Sequence, residues 1–143
     1  MRHHIIKLAT LAAALLALTA CASRSYQTFP NASAASERVH RTFAEQSANI
    51  DLLRGSDPEM FDERRRYLGK IIKQFSEYER ARAELLAERV TPREARQLDE
   101  AMVIGYNLFD TLAVFPGRID EEGEAVDEET RQALADAPEL PES

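Results

Sequence analysis

Residues 91–117 read TPREARQLDEAMVIGYNLFDTLAVFPG, and this stretch decides the fold. It opens with a helix start signal, in which Thr91 is the cap, Pro92 the first helical residue and Glu94 the third. Pro116-Gly117 ends the helix. Apolar residues cover a wide arc of the helical wheel between these signals: Leu98, Ala101, Met102, Ile104, Gly105, Leu108, Phe109, Leu112 and Phe115. We therefore predict a helix from Pro92 to Phe115 at the centre of the domain.

Two further helices precede this one. The first is predicted from Ser36 to Arg54, where apolar residues recur every three or four positions and form a narrow seam. Gly55 ends it, and Ser56-Asp57-Pro58-Glu59 starts the next helix within a few residues. That helix is predicted over Asp57–Arg89, with one apolar face and one charged face. The fold class is therefore all-α, a small three-helix hairpin or bundle over residues 36–116.

Acidic residues dominate the segment that follows the three helices. Residues 117–143 contain ten acids, two arginines and no aromatic residue. Such a composition buries little apolar area to offset the entropy of ordering the chain. We predict a disordered acidic tail.

The start of the chain has the features of a secretory leader. Arg2 and Lys7 provide a charged region, and an apolar stretch runs from Leu8 to Leu18. Leu18-Thr19-Ala20-Cys21 then resembles the lipobox of bacterial lipoproteins at all four positions. That resemblance implies that Cys21 is lipidated, that residues 1–20 are removed as a signal peptide, and that acyl chains fix the protein to a membrane.

The resemblance also has implications for location. Residues 21–35 follow the leader as a lipidated N-terminus and flexible tether rich in Ser and Ala. Ala22 and Ser23 stand where an Asp favours retention in the inner membrane of lipoproteins, so an outer membrane facing the periplasm is the expected location. The alternatives are an ordinary signal peptide with Cys21 as a free thiol, and an uncleaved anchor. The apolar stretch is short for a helix that spans a bilayer, which needs about 20 residues.

Composition excludes several kinds of function. Removing residues 1–20 removes two bases and takes the net charge from −7 to −9, which argues against nucleic-acid binding. The resemblance implies that His40 is the one histidine left in the mature chain and that Cys21 is acylated. A Cys/His metal site and a histidine-based triad therefore lack their parts. We predict no catalytic residues, no metal and no cofactor.

A partner surface is predicted on the third helix. Val103, Tyr106 and Val114 lie away from its main apolar stripe, which indicates either a binding groove or a central helix covered on both sides. Arg64 and Arg82 fall within the apolar arc of the long helix. Because an unpaired buried Arg is costly, each either extends its head to solvent, meets a carboxylate such as Asp110, or faces a partner.

These features predict a non-enzymatic, membrane-anchored lipoprotein that holds or organises a protein partner in the cell envelope. One alternative is a pilotin-like or chaperone-like lipoprotein that guides a secretion or outer-membrane component. Another is an exclusion or inhibitor lipoprotein of a mobile element. A helical domain on a lipid anchor is compatible with all three.

Overall fold

The computed structural model describes residues 24–140, which form four α-helices. They are α1 (Pro30–Asp51), α2 (Pro58–Leu86), α3 (Pro92–Val114) and α4 (Glu128–Ala135). The predicted all-α class and its three long helices are confirmed. Within residues 24–140, extended pairing is limited to two isolated bridges, Ser25 with Val90 and Ile119 with Ala125. The predicted signal peptide and Cys21 lie outside the described residues.

Helices α1 and α3 run side by side in the same direction. Near their beginnings, Asp99 on α3 accepts a hydrogen bond of 2.8 Å from the backbone N–H of Ala32 on α1. About three turns further along both helices, Thr42 donates to Asp110 at 2.7 Å. Two cross-helix contacts at equivalent heights therefore fix the register of this pair.

Helix α2 runs antiparallel to α3 and is joined to it by two tyrosine hydroxyls. Tyr67, near the start of α2, donates to the backbone oxygen of Leu112 at 2.6 Å. Tyr78, three turns later, donates to that of Met102 at 3.3 Å. Gly105 lets the Tyr78 ring approach α3, because a β-carbon at this position would overlap the Tyr78 hydroxyl. The bundle is therefore an up-down-up arrangement.

Aromatic rings fill the space between the three long helices. Phe75 on α2 lies at the centre, with its ring 5.2 Å from Phe43, 5.8 Å from Tyr106 and 5.4 Å from Phe109 between centroids. Most of these contacts are edge-to-face, the geometry that aromatic pairs favour. Tyr106 and Phe109 are fully buried, so α3 is the central helix that its apolar content predicted.

Helix α1 begins six residues earlier than predicted, at Pro30 rather than Ser36. Phe29, just before it, is buried and supplies no side-chain cap. The Asp99 carboxylate provides the cap instead, by accepting from the backbone N–H groups of Asn31 and Ala32. A helix start needs acceptors for its free N–H groups, and here the acceptor comes from another helix. Local sequence rules could not locate that start.

The predicted tether is also corrected by the contacts of Ser25. Its N–H donates to the oxygen of Val90 at 3.1 Å, and the Val90 N–H donates back at 3.0 Å. Arg89 donates to the backbone oxygen of Arg24. The chain is thus held against the turn between α2 and α3 from residue 24 onward, and residues 30–35 are helical. The prediction of a flexible tether up to residue 35 was wrong for residues 24–35.

The prediction of a disordered acidic tail was wrong for residues 117–140. Ile119 is buried and its N–H donates to the backbone oxygen of Glu63 on α2. Arg118 pairs with the Glu63 carboxylate at 2.5 Å, and Thr130 on α4 is fully buried. Gly117 lies against the Tyr67 ring, where a β-carbon would overlap the ring. A few apolar residues and one ion pair are enough to order this segment, because they pack on the core that the three long helices form.

Candidate functional site

The C-terminal half of α3 and helix α4 form a surface groove of about 530 Å³. Leu108 and Leu112 of α3 and the following Phe115 line one side, and Ala133 of α4 contributes to the other. Asp127 begins α4 by accepting from the Thr130 N–H at 2.7 Å. The Thr130 hydroxyl accepts from the Arg118 N–H at 3.1 Å, which holds α4 near the end of α3. Helix α4 leaves part of α3 uncovered, since eight residues make only about two turns. The groove is therefore an apolar surface left open by a short helix.

The rim of the groove on the α4 side is acidic. Glu128, Glu129 and Asp136 all line it and are exposed to solvent. Arg131 forms an ion pair with Glu128, and Gln132 donates to Asp136 at 3.2 Å. An apolar floor beside several carboxylates combines a hydrophobic contact area with a negative potential.

An exposed apolar row on α3 extends the groove towards the middle of the helix. Ile104 is 63% exposed and Leu108 43% exposed. They lie one turn apart and precede Leu112 and Phe115 on the same helix face. The sequence places Leu108 and Leu112 in the same apolar arc of the helix, which predicts that both are buried. Leu112 is buried, but Leu108 is not, because α4 stops short of covering it.

The three predicted surface residues of α3 lie in three different environments. Val114 is 52% exposed but does not line the groove. Val103 is partly buried and packs against the core. Tyr106 is fully buried, so its assignment to a partner surface was wrong. The cause is that α1 and α2 cover α3 on both sides at this height, the alternative that the sequence left open.

Arg82 is partly buried beside a carboxylate, although the carboxylate is not the Asp110 considered from the sequence. Its guanidinium lies 3.7 Å from the Glu79 carboxylate, donates to Ser33 at 2.5 Å, and is 5.8 Å from the centroid of the Tyr106 ring. Ser36 donates to Glu79 at 2.6 Å. This cluster pairs the Arg82 charge at the interface of α1 with α2, while its Nε makes no hydrogen bond within residues 24–140. Arg82 therefore has a structural role in the free domain.

Tyr106 completes the cluster without joining its hydrogen bonds. Burial raises the pKa of Tyr106, and the nearby Glu79 carboxylate raises it further. By distance and angle the hydroxyl makes no hydrogen bond to the residues between 24 and 140, although Glu79 and Arg82 lie near enough for both to affect its pKa. A buried hydroxyl without a partner costs free energy. The stabilising contribution of Tyr106 therefore comes from the packing of its ring and not from its hydroxyl.

Arg64, the other predicted arginine, is half-buried. Its Nε is enclosed and makes no hydrogen bond within the described part of the chain. Its neighbours act structurally: Arg65 stacks on the Phe61 ring at 5.5 Å, and Arg66 donates to the backbone oxygen of Ile119. Arg64 and Arg82 lie on α2, and neither lines the groove, so the structure does not bring the five predicted surface residues together.

The sequence prediction missed the groove because it depends on α4. The signal that was available is the Asp127-Glu128-Glu129-Thr130 run, a cap followed by acids in the first turn of a helix. No cluster of three or more metal-ligating side chains occurs among residues 24–140. His40 is exposed, and its ring contacts Phe75 edge-to-face at 5.0 Å.

Comparisons of the chain with protein-family models, curated proteins and solved structures gave no match. Among the described helices, none is long and apolar enough to cross a bilayer. The interpretation of the groove therefore depends on its own geometry and chemistry.

Proposed function

We propose that this chain is a lipid-anchored envelope protein whose helical domain binds a partner protein in the groove between α3 and α4, without catalysis. The observation that carries the proposal is the open apolar groove, in which Leu108 is 43% exposed and continues the row of the exposed Ile104. Apolar surface of this kind next to polar residues is characteristic of interaction sites.

Two features of the sequence support the membrane anchor. Leu18-Thr19-Ala20-Cys21 resembles a lipobox, and the residues before it have the composition of a leader. Arg24 is held at the turn between α2 and α3, three residues after Cys21. A chain extends by at most about 3.6 Å per residue. The α2–α3 turn would therefore lie within roughly 11 Å of the lipidated residue.

The same geometry sets the groove apart from the turn that the proposed anchor would hold. Helix α3 starts at the anchored turn, and Leu108 and Phe115 follow Pro92 by 16 and 23 residues. At 1.5 Å per residue, the groove is roughly 25–35 Å along the helix. A protein of the periplasm would reach the groove more readily than a lipid would. A partner bound there would be held near the membrane, which is the organising role proposed.

The anchor is tested with Cys21→Ser in cells given an acyl analogue that can be labelled. We expect the wild-type chain to incorporate the label and the Ser variant to incorporate none. Equal labelling of the two proteins would contradict the lipid anchor.

The groove is tested with a photo-crosslinking amino acid in place of Leu108, in native membranes. A specific crosslinked protein is expected, and the same group in place of Leu52 provides the control. Leu52 is 78% exposed and lies outside the groove. Crosslinks that are the same from both positions, or absent from both, would contradict the groove as a binding site.

A further inference from the structure

We propose that the groove takes an amphipathic helix of the partner protein, with basic residues flanking its apolar face. This inference depends on the proposed function, because it assigns the chemistry of the partner for the same groove. It rests on the shape of the groove, the charges on its rim and the charge of the whole chain.

The shape of the groove fits a helix. Ile104 and Leu108 lie on one face of α3, and Phe115 follows directly after the helix end, so the row covers 11 residues or roughly 16 Å. A partner helix of about three turns has the same length. Its apolar residues at every third or fourth position would lie along this row, as in other complexes with a helix in a groove. Addition of a β-strand is not available, because the described residues contain no sheet edge.

The charges on the rim determine whether a partner helix should be basic or acidic. Glu128, Glu129 and Asp136 line the groove; Arg131 pairs with Glu128 from outside the lining, and a basic residue is lacking among the lining residues. Lys or Arg residues beside the apolar face of a partner helix would meet these carboxylates. Carboxylates next to the site would repel an anionic lipid headgroup or an acidic helix.

The charge of the whole chain argues against a second copy as the occupant. The mature chain has a net charge of −9, and two copies facing each other through this groove would bring their acidic rims together. Like charges placed together oppose association. A basic partner would instead be attracted from a distance, which raises its rate of association.

The test uses the lipidated protein in phosphatidylcholine nanodiscs, which carry no net charge and do not attract basic peptides. A displayed library of 16-residue helical peptides would keep one apolar face constant and randomise the flanking positions among Lys, Arg, Glu, Asp, Ser and Gln. Peptides that bind empty nanodiscs are removed first. We expect the selected peptides to be enriched in Lys and Arg.

Variants connect this selection to the groove. Leu108→Asp should weaken binding of a selected peptide roughly tenfold or more, since it places a charge on the apolar floor. Leu52→Asp is the matched control and should leave binding unchanged. Glu129→Lys combined with Asp136→Lys should shift the selection towards acidic peptides. Glu121→Lys combined with Glu122→Lys changes as much charge outside the groove and should cause no such shift. Circular dichroism of each variant confirms that the helices persist.

Each other outcome overturns the proposal. Selected peptides that are acidic or neutral would disprove the basic partner, and binding that survives Leu108→Asp would disprove the location. The same holds if no peptide is selected, if a fatty acid displaces every selected peptide, or if the protein self-associates through the groove. A specific crosslink at Leu108 together with one of these results would leave the proposed function standing and remove only the basic helix.

Discussion

Two buried tyrosines on facing helices show how the contribution of a hydroxyl to stability depends on its hydrogen-bond partner. The Tyr67 hydroxyl donates to the backbone oxygen of Leu112 at 2.6 Å, whereas the Tyr106 hydroxyl has no partner between residues 24 and 140. Both rings are buried to the same extent, at 1% and 0% exposure. The pair therefore separates the contribution of a hydrogen bond from that of an aromatic ring.

We predict that Tyr67→Phe lowers the free energy of unfolding by about 1–2 kcal/mol, because it leaves the Leu112 oxygen without its donor. Tyr106→Phe removes a hydroxyl that makes no bond, so it should cause no loss of stability. Urea denaturation of the two variants and the wild-type chain measures the difference. A larger loss for Tyr106→Phe than for Tyr67→Phe would show that the Tyr106 hydroxyl is bonded in solution.

Replacing glycine by alanine should have opposite effects on stability at two helical positions. Gly105→Ala places a methyl group against the Tyr78 hydroxyl, which is buried and bonded to Met102. We expect a loss of about 1–3 kcal/mol from this overpacking. Gly69→Ala meets no atom within 4 Å and should instead stabilise α2 by about 0.5–1 kcal/mol. Thermal melts of both variants decide the matter, and a stabilising Gly105→Ala would mean that the Tyr78 ring can move aside.

At the scale of elements, start signals and apolar periodicity predicted the three long helices. Thr91 accepts from the Glu94 N–H at 3.2 Å, as the capping pattern indicates. The start of α1 was not predictable in this way, because its cap is Asp99, 67 residues away in sequence from Ala32. The order of residues 117–140 was not predictable for a similar reason. Their acids face solvent, while Ile119 and Thr130 pack on helices that composition does not take into account.

Residues 117–143 are therefore predicted to contribute to stability. Their removal would expose Tyr67 and Phe115 and leave the buried Glu63 without Arg118. A buried charge that loses its partner is costly. We expect truncation after Pro116 to lower the melting temperature by more than about 5 °C, since 1 kcal/mol corresponds to several degrees in a domain of this size. Differential scanning calorimetry of the two chains measures the shift.

A pair of substitutions serves as the control for this truncation. Ile119→Ala creates a cavity at a buried site and should cost about 2–5 kcal/mol. Val126→Ala lies in the same segment but is 42% exposed, so its effect should be small. Equal melting temperatures for the full chain, the truncated chain and the Ile119 variant would mean that residues 117–143 do not pack on the helices, as their composition predicted.

At the scale of the whole molecule, the two ends of the bundle have different surroundings under the proposed anchor. The α2–α3 turn holds residues 24 and 25, and the groove lies at the opposite end of α3. A bundle lying flat would bring an acidic surface against the anionic headgroups of a natural membrane, because the mature chain has a net charge of −9. We therefore expect the domain to stand on the membrane with the groove outermost.

This orientation is tested by resonance energy transfer from single dyes on the lipidated protein in anionic vesicles. One dye replaces Arg93, in the first turn of α3, and the other replaces Gln132, which lines the groove. Both positions are exposed, so the substitutions should not disturb the core. Transfer to an acceptor on the lipid headgroups should be strong from residue 93 and much weaker from residue 132, which lies roughly 25–35 Å further along the bundle.

Equal transfer from both positions would mean that the domain lies flat, and the groove would then face lipid as much as the periplasm. Raising the salt concentration distinguishes the cause: if charge repulsion keeps the domain upright, transfer from residue 132 should increase as the repulsion is screened.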